Sequence, residues 1–327
     1  MRVFVYEFIT GGGLYALPDA PAPSGSLLTE GAMMRSTIAD QLQESGSEVL
    51  LLRDQRLDSH NASQGVEMLV DSPASERAAF FAACEQADAV LVIAPEFGGL
   101  LLDRVRWAES TPTPLISPNS DFVAMAGDKW ATYQSWLQAG VMTPLTWLTS
   151  DFVSSGSPVD APVLRKPIAG AGSLDINFVD FEEKFAPSSS TITQVYCDGL
   201  HASVGLLSNG SELISLPPGG QKIDLSKGFQ YNGGFWPLSD ELAERAKRLA
   251  KQAVAALPAF RGYIGVDMIL GAKDGEDFAI EINPRLTTSY YGLCRLCRGN
   301  LSQEMLKFAG GESIELEFSN EAYQFHL

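Results

Sequence analysis

Asp277-Phe-Ala-Ile-Glu-Ile-Asn-Pro-Arg285 decides the fold, read with Gly262-Tyr-Ile-Gly-Val-Asp267 just before it. Both are short, largely apolar runs, and the polar segment Gly271 to Asp277 connects them, so the pair reads as a β-hairpin. Side chains two apart on a strand share a face, which puts Glu281 beside Asn283, and Asp267 joins them across the hairpin. Two carboxylates and an amide are hard oxygen ligands that leave positions for substrate phosphates and water, as magnesium requires. Zinc would call for His and Cys, which this set lacks. Pro284 turns the chain out of the strand, and Arg285 then projects near the metal. A fixed guanidinium there stabilises charge on a transferring phosphoryl group or an acyl phosphate. The plainer alternative is an acidic hairpin with one surface arginine.

Upstream, Leu164-Arg-Lys-Pro167 reads as a strand ending in a lysine, followed at once by Gly170-Ala-Gly-Ser173. Such glycines permit a tight loop whose backbone N–H groups face phosphate oxygens, with Lys166 as a point charge on the same group. No Gly-Lys-Ser/Thr opens a helix here, so this is not a P-loop. Asp128-Lys129 begins a helix that runs to Ala139 and is stopped by Gly140 and Pro144. From Ala161 the texture is short strands with Gly, Ser and Pro between them, an antiparallel pattern, and a long helix spans about Asp240 to Leu257.

The N-terminal part differs. Val3 to Phe8 is a strand, Thr10-Gly-Gly-Gly13 a turn, Gly31 to Ser45 a helix and Glu48 to Leu52 a second strand, a β-α-β unit that implies a parallel sheet. A helix from Ser75 to Gln86 leads to the buried strand Ala89 to Ala94, with Glu96 at its carboxyl end, where open α/β sheets bind ligands. Thr111 to Pro118 reads as a linker. The expected fold is α/β followed by α+β, in lobes at 1–117, 118–190 and 191–327.

Composition narrows the partners. Against 23 Lys+Arg stand 40 Asp+Glu, and the formal charge of −17 disfavours nucleic acid and anionic membrane surfaces. No apolar stretch approaches the ~20 residues that span a bilayer, and Glu7 interrupts the first apolar run before it can serve as a signal-peptide core. A cytoplasmic protein is expected. Cys84, Cys197, Cys294 and Cys297 are too sparse for a disulfide scaffold, and Cys294 and Cys297 read as two semi-buried thiols on a helix.

Lys129, then Lys166 with its glycine loop, then Gln194 to Gly199, then Asp267, Glu281 and Asn283 follow one order, and that order resembles the ATP-grasp superfamily of ligases over roughly the whole chain. The resemblance implies an ATP-grasp fold behind an N-terminal pre-ATP-grasp α/β domain, with ATP and Mg2+ as cofactors. It implies ATP-phosphate contacts for Lys129 and Lys166, a lid at Gly170, Gly172 and Ser173, and adenine contacts for Gln194 and Tyr196. Asp267, Glu281 and Asn283 become metal ligands, consistent with Arg285 as the catalytic cation read above, and Lys222, in Gly219-Gly-Gln-Lys222, is either a γ-phosphate contact or an exposed loop lysine. Two positions depart from the pattern: the usual hinge Glu is Gln194, and the ribose-binding acid falls near His201.

A narrower resemblance rests on Glu7 with Thr10-Gly-Gly-Gly13, Leu28-Thr-Glu30-Gly31, Ala94-Pro-Glu96, Gly127-Asp-Lys-Trp-Ala-Thr-Tyr133 and Asn283-Pro-Arg-Leu-Thr-Thr-Ser-Tyr290. These look like the tyramine–glutamate ligase group of methanofuran biosynthesis, implying a carboxylate and an amine as small-molecule substrates, with Glu7 or Glu96 pairing with an ammonium and Tyr290 or Tyr291 stacking on an aromatic ring. A different acid and amine, or a non-catalytic ATP-binding protein, are the alternatives. A dinucleotide oxidoreductase fails, because Gly11 to Gly13 lead into a Pro-rich loop instead of a helix.

Overall fold

The computed structural model describes residues 1–58, 65–155, 159–170, 172, 175–179 and 188–327. Its first part comprises β1 (Arg2–Glu7), α1 (Gly25–Glu44), β2 (Glu48–Asp54), β3 (Val66–Val70), α2 (Pro73–Gln86), β4 (Ala89–Ile93) and α3 (Leu100–Glu109). The strands form a parallel sheet in the order β3-β2-β1-β4. Continuation of the chain on opposite sides of β1 places a topological switch at the carboxyl ends of β1 and β4, where Glu7 and Glu96 lie.

Two boundaries differ from the sequence reading. Helix α1 starts at Gly25, behind Ser24, rather than at Gly31. Leu27 and Leu28 extend its apolar stripe backward, and both pack against the first-sheet core. Thr111 to Pro118 is more than a linker: Leu115 bridges Val90 in parallel, and the Ile116 N–H donates to the Val90 carbonyl at 2.9 Å.

The middle part holds α4 (Ser120–Ala126), α5 (Lys129–Ala139), β5 (Thr146–Leu148), α6 (Thr149–Ser155), β6 (Val163–Pro167), β7 (Asn177–Phe178) and β8 (Thr191–Val195), whose strands pair antiparallel as β5-β8-β6-β7, so that β8 carries this part past the boundary expected at 190. Asp128 caps α5, its carboxylate accepting from the Trp130 and Ala131 N–H groups at 2.9 Å, and left-handed Gly140 ends it.

The C-terminal part comprises β9 (Leu200–Asn209), β10 (Leu213–Ser215), β11 (Gly219–Asp224), β12 (Gln230–Trp236), α7 (Asp240–Ala255), β13 (Arg261–Leu270), β14 (Phe278–Asn283), α8 (Ser289–Leu296), α9 (Leu301–Ala309) and β15 (Tyr323–Gln324). Its antiparallel sheet runs β14-β13-β9-β11-β12-β15, with β10 on β9. Helix α7 covers one face, burying Ala246, Leu249, Ala250 and Ala253 against Val204, Leu206, Ile264 and Val266. On the other face, Tyr290, Leu293, Leu301 and Met305 share one core with Met34, Ile38 and Leu42 of α1 and Val3, Val5 and Leu91 of the first sheet. The first and last parts are thus fused through a continuous apolar interior. Strands β5 to β8 contribute no residue to any of the three large cores among the described residues. No helix among those residues is long and apolar enough to cross a membrane.

Candidate active site

The hairpin read from sequence forms, with Asp267 directly opposite Glu281 and Gly265 opposite Asn283. Cross-strand partners share a face, so the three polar side chains converge. The Asn283 amide donates to Asp267 Oδ2 at 2.8 Å, and Gln221 of β11 donates to Asp267 Oδ1 at 3.0 Å. Burial, then the facing Glu281 carboxylate, push Asp267 up to about 6. Glu281 is held low despite its own burial by Lys129 first and Lys166 next. No three His, Cys, Asp or Glu side chains assemble a metal site among the described residues. The protein therefore supplies an incomplete oxygen set of two carboxylates and an amide, which fits a hard cation completed by phosphate and water.

The hairpin is anchored from behind. Arg245 of α7 is buried, donates from Nε to Asp277 Oδ2 at 3.0 Å, and also reaches the Gly271 and Lys273 carbonyls at 2.7 and 2.9 Å. This clamp fixes the turn that sets the register of Glu281. The spacing of Arg245 on an amphipathic helix marks it only as one of several cations there, so sequence reading passed over it.

Facing the hairpin is the middle sheet. On it, Thr146, Gln194 and Leu164 stand in one cross-strand row. Lys166 donates to Gln194 Oε1 at 2.7 Å, and the Gln194 amide donates to Thr146 Oγ1 at 3.0 Å, which fixes which end of the amide faces the lysine. Gln194 thus accepts from the lysine without neutralising it. Burial lowers Lys166 to about 8. Lys129 lies 3.0 Å from Glu281 Oε2 and donates to the Gly170 carbonyl at 3.2 Å, tying the glycine loop to the acidic hairpin. Gly172 lines the same cavity at φ +66°, a left-handed conformation that a side chain would strain. Ser173, also expected in the loop, lies outside the described residues.

One cavity collects most of these groups, with Lys129 and Gly170 behind its lining and linked to it through Glu281. Lys166, Gln194, Tyr196 and His201 line it together with Asp267, Glu281, Asn283 and Arg285, and Leu164, Ile176, Phe229, Met268, Ile269 and Ile280 supply an apolar wall. Tyr196 and Phe229 both pack on Phe178, at centroid separations of 5.2 and 5.5 Å. His201 is lowered from its ordinary value, chiefly by burial and next by Lys166.

Several expected site residues lie elsewhere. Lys222 does not join the cavity: its Nζ donates to Gln324 Oε1 at 2.7 Å on the exposed side, because alternation along β11 turns Gln221 and Ile223 inward. Tyr290 is fully buried in the core of α8, its hydroxyl 2.8 Å from Ser302 Oγ and its ring 5.4 Å from that of Tyr263, so it cannot stack on a substrate. Tyr291 instead packs on Phe325, at 5.5 Å. Glu7 is buried and accepts from the Ile9 and Thr10 N–H groups and the Thr10 hydroxyl at 2.7–3.0 Å, fastening the glycine turn rather than facing a ligand. Glu96 is buried against Arg285, with Oε1 2.9 Å from Arg285 Nε and Oε2 accepting from Nη2 at 3.2 Å, so it neutralises the guanidinium.

The sequence reading missed Glu30, Gln221, Tyr231, Thr288 and Ser289, all of which line the cavity. Glu30, Thr288 and Ser289 fall within quoted motifs, but only the fold reveals which of those side chains turn toward the cavity. The four cysteines are free thiols, and Cys294 is buried.

Comparison with known proteins bears on this geometry. The ATP-grasp domain family matches residues 126–289, and the pre ATP-grasp 3 domain matches residues 47–123. A tyramine–L-glutamate ligase of Methanocaldococcus jannaschii is 28% identical over 301 residues, 91% of this chain and 88% of the relative. One from Methanocaldococcus fervens is 29% identical over 316 residues, 96% of this chain and 97% of the relative. Among solved structures, a putative ATP-grasp superfamily protein from Archaeoglobus fulgidus superposes with a TM-score of 0.73 at 25% identity, covering 97% of this chain and 90% of that one. An ADP complex of N5-carboxyaminoimidazole synthetase from Staphylococcus aureus, at 13% identity, shares the fold with a TM-score of 0.73 over 97% of this chain and 79% of the other.

Proposed function

The chain belongs to the ATP-grasp family of ligases, and on that premise we propose that it joins glutamate to tyramine or a related aromatic amine through an acyl phosphate, as in methanofuran-type biosynthesis. The observation that carries this reading is the single cavity in which Lys166 and Tyr196 of the middle part face Asp267, Glu281, Asn283 and Arg285 of the C-terminal part.

Each group has work that its surroundings suit. Tyr196, Phe229, Ile269 and Ile280, which line the cavity, would receive adenine, with Gln194 and His201 supplying polar contacts to the nucleoside. Lys166 and Lys129 hold the phosphates as charges of opposite sign, and the loop through Gly170 and Gly172 covers them with backbone N–H groups. Asp267, Glu281 and Asn283 would hold Mg2+, which would supply positive charge against the phosphates. Arg285, oriented by Glu96, meets the negative charge that builds on the carboxylate and the transferring phosphoryl group. Positioning and charge stabilisation supply most of the rate, and excluding water protects the acyl phosphate from hydrolysis. A location in the cytoplasm accords with this chemistry.

Incubation with ATP, magnesium, glutamate and tyramine, followed by mass spectrometry, tests the substrates. The expected product is a γ-glutamyl-tyramine adduct formed with stoichiometric ADP. ADP release with another acid–amine pair, and no such adduct, leaves the ligase class standing and removes this substrate assignment.

A further inference from the structure

Beside Arg285 the cavity contains a carboxylate that the chemistry above does not use. Glu30 projects from the second turn of α1, in the first part of the chain, into a cavity otherwise built by the other two parts. It is half-buried and has no hydrogen-bond or ion-pair partner among the described residues. The nearest cation acting on it is Arg285, which already forms its ion pair with Glu96. Arg285 therefore acts on Glu30 only through space, and the Glu30 carboxylate faces the cavity without an ion pair of its own.

Its neighbours define a polar corner. Thr288 and Ser289 line the cavity at the start of α8, and Tyr231 of β12 sits beside them with its hydroxyl buried and without a well-formed hydrogen bond. Buried polar groups are rarely left unmatched, and a corner of one free carboxylate and several hydroxyls is complementary to a group that carries positive charge and several N–H donors. A primary ammonium has that chemistry: three donors and one charge. The corner also adjoins the phosphate-covering loop, since a Cβ on Gly172 would lie 3.3 Å from Leu27 Cδ2, on the same turn of helix as Glu30.

We propose that Glu30, with the hydroxyls of Tyr231, Thr288 and Ser289, is the subsite that binds the primary ammonium group of a substrate. The inference rests on the ligase reading. The ammonium has two sources in that reaction, the α-amino group of the amino acid and the amine that is acylated. Either one is held close to Arg285, where the acyl phosphate forms.

The test measures equilibrium binding to the ADP- and magnesium-loaded protein for two matched pairs, glutamate against glutarate and tyramine against 4-ethylphenol, in wild type, Glu30→Gln and Tyr231→Phe. In wild type one ammonium-bearing member binds more tightly than its deaminated counterpart by about ten- to a hundredfold, the range for a charge-assisted hydrogen bond. Glu30→Gln erases that preference and leaves binding of the deaminated partner unchanged, and Tyr231→Phe weakens it in part. The pair that shows the effect identifies the source. A preference that survives Glu30→Gln, or its absence from both pairs in wild type, overturns the proposal. So does a raised magnesium requirement with unchanged substrate affinities, which would make Glu30 part of the metal site. Failure of the ligase reading looks different: no acid–amine pair elicits ADP release from wild type.

Discussion

At the scale of single residues, each strand of the site turns some side chains inward and their immediate neighbours away. Glu281 lies on Lys129 and opposite Asp267, so Glu281→Gln removes a charge on which the proposed metal and both lysines depend. Steady-state ATP turnover is expected to fall by at least about a hundredfold, with the midpoint of thermal unfolding within a few degrees of wild type. Lys222 is the control. Its ammonium rests on Gln324 at the surface, so Lys222→Ala should leave turnover within about twofold, as surface substitutions generally do. A large loss in Lys222→Ala, or turnover near wild type in Glu281→Gln at saturating magnesium, would contradict the assignments. Sequence carried much of this scale, because Glu281, Asn283 and Asp267 follow from a period of two. It left Lys222 open between a phosphate contact and an exposed lysine, since a glycine-flanked run carries no alternation from which to read its inward face.

At the scale of elements, what decides the site is how strands of different parts approach one another. The hairpin of β13 and β14, helix α5 with its caps and the parallel first sheet were legible because each has a complete local signature. Strand β3, half exposed at a sheet edge, had none, and the start of α1 was obscured by the Pro-rich loop before it. Glu7 and Tyr290 show the limit most clearly. Each belongs to a motif that marks the ligand edge, yet hydrogen bonds from the Thr10 turn and from Ser302 commit them to the scaffold. Pairings at such sequence distance depend on tertiary approach, which local pattern does not encode. One approach is testable: Gly262, at the start of β13, has φ +85°, and a Cβ there would lie 2.0 Å from the Ile116 carbonyl oxygen. Gly262→Ala adds left-handed strain to a backbone clash where the first part joins the C-terminal sheet, and is expected to lower stability by about 2–4 kcal/mol. Denaturant unfolding measures it. A loss below about 0.5 kcal/mol, the scale of an ordinary surface change, would mean that this contact does not constrain the fold.

Across the whole molecule, the first and last parts share one apolar interior, whereas among the described residues strands β5 to β8 stand outside the three large cores and carry Lys166, Gln194 and, just past β8, Tyr196. A rigid base with a separately packed cover suits a reaction that must admit ATP and two substrates and then exclude water from an acyl phosphate. That intermediate is the central claim, and transfer of an oxygen atom reports on it directly. With glutamate labelled by 18O in its side-chain carboxyl, together with ATP, magnesium and tyramine, phosphorus NMR of the spent reaction reads where the label goes. The account predicts ADP and inorganic phosphate as products, with one 18O transferred to the phosphate in each turnover. Label in AMP with release of pyrophosphate, or unlabelled phosphate accompanying amide formation, would contradict it.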